Sequence, residues 1–254
     1  MYRKSINPKD QKILNPNVLS GSQIESVCNV ITDAYIESKT AEGIAVERID
    51  IEELVKNQLG CTIIFESITE YDDCLAYASN GIKPLEVMRN GYRQNVLFPK
   101  NTIVLDNYLN QPKLICKKRF TIGHEAGHII KNQLKNNNEA KFHRVNNVPV
   151  KDKDEIKDRY SITEVEANRF AACLLMPESM VAMLMEQYYG NEYIYKYADN
   201  MLSPEDSDNV CHMAKTLGVS YTAMFYRLKE LGFIKEGFIE SYVSDTILGD
   251  KGNE

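Results

Sequence analysis

The sequence predicts an α+β domain, and three observations carry the prediction. Short β-branched runs gather between residues 61 and 105. Segments of helical apolar periodicity flank them on both sides. One helical segment holds His124-Glu125-Ala126-Gly127-His128, two imidazoles at i and i+4 with a carboxylate between them.

With 254 residues, the chain is long enough for one sizeable domain, or one domain with a small appendage. Hydrophobic residues at 43% and charged residues at 26% are ordinary globular values, sufficient for a real core. A net charge of −6 carries no overall signature for nucleic acid or an anionic membrane. No stretch approaches 18 apolar residues, and MYRKSINPKDQKILNPN lacks the apolar core of a secretory signal. The six cysteines are scattered without a CxxC pair. Together these favour reduced thiols and a cytoplasmic protein.

The elements follow in order. Residues 1–19 are polar, with two prolines, and read as an arm. Ile24, Val27, Cys28, Ile31 and Tyr35 then repeat at helical spacing to about Lys39. Asp50 can cap a helix, IEELVKNQL, that stops at Gly60. Cys61–Phe65 reads as a strand, as do Cys74–Ala78, Asn95–Phe98 and Thr102–Leu105. The last two flank Pro99-Lys100-Asn101, expected as a hairpin turn. Pro112 suits the first turn of the long helix carrying the two histidines. Lys117, Lys118 and Arg119 read as a solvated charge run. Residues 136–160 read as a long polar excursion. A helix starts near Ser161 and runs to Met176, where Pro177 ends it or starts the next, which closes at Gly190. Residues 188–197 hold five tyrosines and read as a connector. Pro204–Leu217 and Ser220–Leu231 are two more helices, and the tail is weakly specified.

The histidine pair carries the chemistry. Residues four apart on a helix stand about 5–6 Å apart at Cβ, so two ring nitrogens can share one metal ion. Glu125 can then reach a water on that ion. Random placement of the chain's 4 His and 22 Glu would give about 0.004 such matches. The flanks Ile122, Ile129 and Ile130 suit a half-buried helix.

A hydrolytic zinc site needs a third protein ligand and an open position. Glu164 and Glu166 compete for that role. With Glu164 at 0° on a helical wheel, Asn168 falls at about 40°, Ala171 at about 340° and Ala167 at about 300°. That small apolar face can approach another helix, and an acid on it needs a cation or a donor. Glu166 falls at about 200°, beside Arg169 and Cys173, and is expected to face water. Asn168 could hold the outer nitrogen of a histidine. A competing account makes Ser161-x-x-Glu164 or Thr163-x-x-Glu166 a capping box. His143 and His212 read as structural.

FTIGHEAGHII at 120–130 followed by EVEANRFAACLLMP at 164–177 resembles the ImmA/IrrE family of metallopeptidases. The likeness extends from IEEL at residue 51 to AKTLGVSYTAMFYRLKELGFI at 214–234. It implies a zincin-like fold, with a small twisted sheet, a helix bearing the HExxH motif and a helical C-terminal part. It implies zinc on His124, His128 and Glu164, with Glu125 as the base and Asn168 orienting a histidine. Some members cleave or antagonise helix-turn-helix repressors and switch on mobile elements or stress genes. The chain resembles the short, ImmA-like members.

The expected organisation is an arm at 1–19, a peptidase domain at 20–190, a helix-turn-helix-like part at 191–236 packed on it, and a tail at 237–254. The expected function is a zinc-dependent endopeptidase acting on a cytoplasmic protein, a transcriptional repressor above all. An extended substrate is expected to add to a sheet edge beside the active helix, at Thr102–Leu105. The alternative is a regulator that binds DNA or sequesters a repressor without cutting it. His212–Leu228 has a helix-turn-helix look, but Arg227 and Lys229 beside Glu230 make a thin basic footprint for reading bases.

Overall fold

The computed structural model describes residues 18–69, 74–134, 153–197 and 201–238, with backbone alone over 153–161. The arm up to Asn17, residues 135–152 of the polar excursion with His143, and the tail beyond Phe238 lie outside the described residues. The chain divides into two compact units, Met1–Val46 with Asp50–Leu174, and Glu47–Ile49 with Leu175–Glu254. Among the described residues, no helix is long and apolar enough to cross a membrane.

The first unit opens with α1, Gly21–Ala41. Ser20 and Gln23 form a reciprocal capping box that satisfies two of its free N–H groups. In α2, Ile51–Leu59, the Asp50 carboxylate accepts from the N–H groups of Glu52 and Glu53. The helix stops at Gly60, whose φ of +64° lies in the left-handed region.

Five strands follow: β1 Thr62–Glu66, β2 Ala76–Ser79, β3 Leu85–Arg89, β4 Tyr92–Val96 and β5 Thr102–Asp106. They make two sheets. In one, β5 lies in the centre, parallel to β1 and antiparallel to β2. In the other, β3 and β4 form a two-stranded ribbon.

This arrangement corrects two expectations. Pro99–Asn101 does not close a hairpin, because β4 and β5 belong to different sheets. The hairpin turn is Asn90-Gly91, both at positive φ (54° and 80°), the dipeptide that two-residue hairpins favour. Nor is Thr102–Leu105 a sheet edge. Ile103, Val104 and Leu105 are fully buried, as a central strand covered on both faces requires.

Two 3₁₀ turns at Asn107–Asn110 and Pro112–Leu114 lead into α3, Ile115–Leu134. The charge run falls inside this helix and is not simply solvated. Lys118 pairs with Glu52 at 2.7 Å, Lys117 lies over the Tyr108 ring, and Arg119 is buried. α4 spans Lys153–Leu175, so it begins within the expected excursion. Ser161 and Thr163 are therefore interior positions, and the capping-box account of Glu164 and Glu166 falls.

α3 and α4 meet through glycines. A Cβ on Gly127 would lie 2.7 Å from Phe170 Cβ and 3.2 Å from Ala167 Cα. One on Gly123 would lie 3.0 Å from Ala171 Cα. Such distances leave no room for a methyl group. α4 also packs on α1: the Cys28 thiol donates to the Phe170 carbonyl, and the Cys173 thiol donates to Glu25.

The second unit holds α5 Glu178–Tyr189, β6 Ile194–Lys196, α6 Pro204–Leu217, α7 Tyr221–Glu230 and β7 Ile234–Glu236. The tyrosine-rich connector contributes β6, which pairs in parallel with β7. Gly218, at φ +66°, ends α6, and Ser220 caps α7. Val210, Met213, Met224 and Leu228 are fully buried.

Gly127→Ala is expected to lower stability by about 1–3 kcal/mol through overpacking against Phe170. A thermal melt of the metal-free protein checks this, and an unchanged midpoint would mean that the helix contact is looser than described.

Candidate metal centre

About one turn from each of two helices brings the site together. α3 supplies His124, Glu125 and His128, and α4 supplies Glu164 and Asn168. His124 Nε2 lies 3.1 Å from His128 Nε2 and 3.2 Å from Glu164 Oε2. His128 Nε2 lies 3.6 Å from Glu164 Oε1. All three side chains are largely buried. Among the described residues, these three form a group able to hold a metal ion.

The spacing fits a cation. Zinc bonds of about 2.0–2.2 Å in a tetrahedron set ligand atoms roughly 3.3–3.6 Å apart. The observed separations lie close to that range. Glu164 Oε1 is a buried oxygen with no hydrogen-bond partner. Such an atom is costly to leave unmet, and a metal ion would meet it. Asn168 Oδ1 accepts from His124 Nδ1 at 2.9 Å. That bond places the proton on Nδ1 and leaves the Nε2 lone pair turned toward the cluster.

Burial drags the His124 pKa down, but the hydrogen bond to Glu164 and the charges of Glu125 and Glu164 outweigh it, and the net shift is upward.

Glu125 is buried beside the cluster, against β2. Burial pushes its carboxyl up from 4.5 to about 7; His124 pulls it down, Glu164 raises it, and an N–H bond from Ala78 lowers it. The register explains that donor. Tyr77 and Ser79 turn their N–H groups toward β5, so Ala78 turns its own outward. Among the described residues β2 has no second strand partner, and α3 packs against it.

The expectation for Glu166 needs correction. It is buried, pairs with Lys131, and accepts the Leu19 N–H. α1 covers the side of α4 that the helical wheel assigned to water. Solvent instead meets Ile162, Val165 and Asn168. Sequence reading also missed Lys131 and Ala78. Lys131 stands one turn after His128, a lysine on an apolar flank, which was a readable signal. Ala78 carries none, because its role is a backbone one.

In the second unit, Arg227 is buried at 1% exposure and donates Nε to the Met176 carbonyl at 3.0 Å. It is therefore committed to packing and cannot reach a base edge from that position. His212 is exposed on α6.

Glu125 also makes stability depend on pH. Its folded pKa lies above its unfolded value, so the metal-free fold loses stability as pH rises from about 4.5 through about 7. Glu125→Gln is expected to stabilise the metal-free protein at pH 8 by at most about 3 kcal/mol, read as a higher melting midpoint. The gain should vanish at pH 4. A gain that is the same at both pH values would rule out the ionisation account.

Comparison with known proteins gives three findings. No curated protein matches the sequence. A solved structure of a Mycobacterium tuberculosis transcriptional regulator is similar at 12% identity and a TM-score of 0.43. The similarity covers 87% of this chain but 50% of that one, so this chain spans about half its length. Residues 57–229 match the IrrE N-terminal-like domain of the M78 peptidases. The match takes in α3 and α4 with all five site residues, and the chain belongs to that family.

Proposed function

We propose that the protein is a zinc-dependent endopeptidase of zincin-like fold that hydrolyses a peptide bond in a cytoplasmic protein, a helix-turn-helix repressor or a related transcriptional regulator. The observation that carries the proposal is the buried Glu164 Oε1, which has no hydrogen-bond partner among the described residues, beside two imidazole nitrogens and the buried carboxyl of Glu125.

His124, His128 and Glu164 would hold the zinc, which supplies Lewis acidity toward the scissile carbonyl and the attacking water. Zinc suits two imidazoles and one carboxylate with an open position better than a harder ion. Glu125 accepts the proton of the attacking water and returns it to the leaving nitrogen. Burial raises the pKa of this carboxyl in the metal-free protein, and a zinc ion bound beside it would draw it back toward the carboxylate that accepts the proton. The Ala78 N–H holds that carboxylate in place. Asn168 fixes the His124 tautomer.

The outward edge of β2 runs beside Glu125, and an extended substrate would add its backbone there through groups other than the Ala78 N–H, which Glu125 holds. This replaces β5 as the substrate edge. The choice of a transcriptional repressor follows the family resemblance. The DNA-reading alternative loses support from the buried Arg227.

Two linked measurements test the reading. Metal analysis should find about one zinc per wild-type chain, lost in His124→Ala and Glu164→Ala and kept in Glu125→Gln. Mass spectrometry of new protein N-termini in the host should find a cleaved regulator with wild type and none with Glu125→Gln. A Glu125→Gln protein that still relieves repression, with no cleaved product for either protein, would establish sequestration in place of hydrolysis.

A further inference from the structure

We infer that the buried ion pair between Lys131 and Glu166 is a positioning device that sets the register of the two ligand-bearing helices. The inference rests on the metal-site reading above.

Lys131 Nζ bonds Glu166 Oε2, and both side chains are 5% exposed. Lys131 Nζ also faces Thr163 Oγ1 at 3.4 Å. The other Glu166 oxygen accepts the Leu19 N–H at 2.5 Å, just before α1 begins. Both carboxylate oxygens are thus used. The pair flanks the site on both helices. Lys131 stands one turn after His128, Glu166 two residues after Glu164, and Thr163 one residue before it.

A buried ion pair is a weak source of stability, because the loss of hydration offsets the attraction. Register is where this pair has something to add. The α3–α4 contact is built from Gly123 and Gly127 against Ala167, Phe170 and Ala171. Small smooth faces fix how close two helices come, but they resist sliding along the axis poorly. One residue of slip is about 1.5 Å. That would separate Glu164 from both imidazoles. A directional bond between a lysine on one helix and a carboxylate on the other opposes the slip, and the Leu19 amide anchors that carboxylate from a third element.

The test uses full-length protein and cobalt(II) as the probe. Lys131→Met combined with Glu166→Gln removes both charges without leaving either alone. It keeps an oxygen for the Leu19 N–H. The expected result is a metal-free far-UV spectrum and a cooperative melt like the wild type's. Cobalt affinity should be about tenfold or more weaker, and the visible ligand-field bands shifted. Glu166→Asp keeps both charges and shortens the arm by one methylene. It is the milder variant, and its bands should shift in the same direction. Affinity within twofold of wild type and unchanged bands in both variants would overturn the inference while leaving the metal site standing. Wild-type cobalt binding no tighter than that of His124→Ala would remove the site, and the inference with it.

Discussion

The near-contact of α3 and α4 is the constraint on which the rest of the structure depends. Two glycines on one helix lie against alanines and a phenylalanine Cβ on the other, with no space for a methyl group between them. That closeness lets a side chain as short as glutamate reach two imidazoles on the neighbouring helix. Gly127 stands inside the histidine motif itself, so the residues that bring the helices together and those that use the approach share one turn. A conventional leucine-packed pair, at 8–10 Å between axes, would hold Glu164 farther from the histidines.

Close packing creates an electrostatic problem, and the site reflects its solution. Three carboxyl groups, those of Glu125, Glu164 and Glu166, are carried into the interior around the same two helices. Each is met differently. Glu166 has a lysine and a backbone amide. Glu125 has the outward N–H of Ala78 and a raised pKa. Glu164 turns one oxygen to each imidazole, and the one that faces His128 at 3.6 Å has no hydrogen bond. The first is a structural solution. The second leaves a carboxyl that burial disposes to keep its proton in the metal-free fold. The third leaves a place for a cation.

Much of this was legible in the sequence because it is local. The i, i+4 histidines, the Asp50 cap, the Gly60 stop and the Pro177 break depend on residues a turn or two apart. Helical angles and a face of small residues favoured Glu164 over Glu166 beside the imidazoles, with the capping boxes left as a competing account. What escaped was long-range. The burial of Glu166 depends on Leu19, 147 positions earlier, and on α1 covering a face that periodicity alone assigns to water. The sheet order escaped because β5 pairs with β1 in parallel across 40 residues, a pairing that no turn signals. The Asn90-Gly91 hairpin was different: its signal was present, but β4 beside it lacks the alternation that would have drawn notice, since most of it is exposed on both faces. The three-residue strands β6 and β7 are too short to leave a pattern. Arg227 read as an exposed cation because nothing nearby shows that its guanidinium is bonded to the Met176 carbonyl.

The central claim is that two imidazoles and one carboxylate, from helices packed glycine to alanine, share one metal ion. X-ray absorption at the zinc edge, on full-length protein loaded with one equivalent of zinc at neutral pH, tests it most directly. The account predicts a shell of nitrogen and oxygen at about 2.0–2.1 Å, with the multiple-scattering pattern of two imidazoles and no sulfur. A sulfur shell near 2.3 Å, or a spectrum without imidazole scattering, would contradict it.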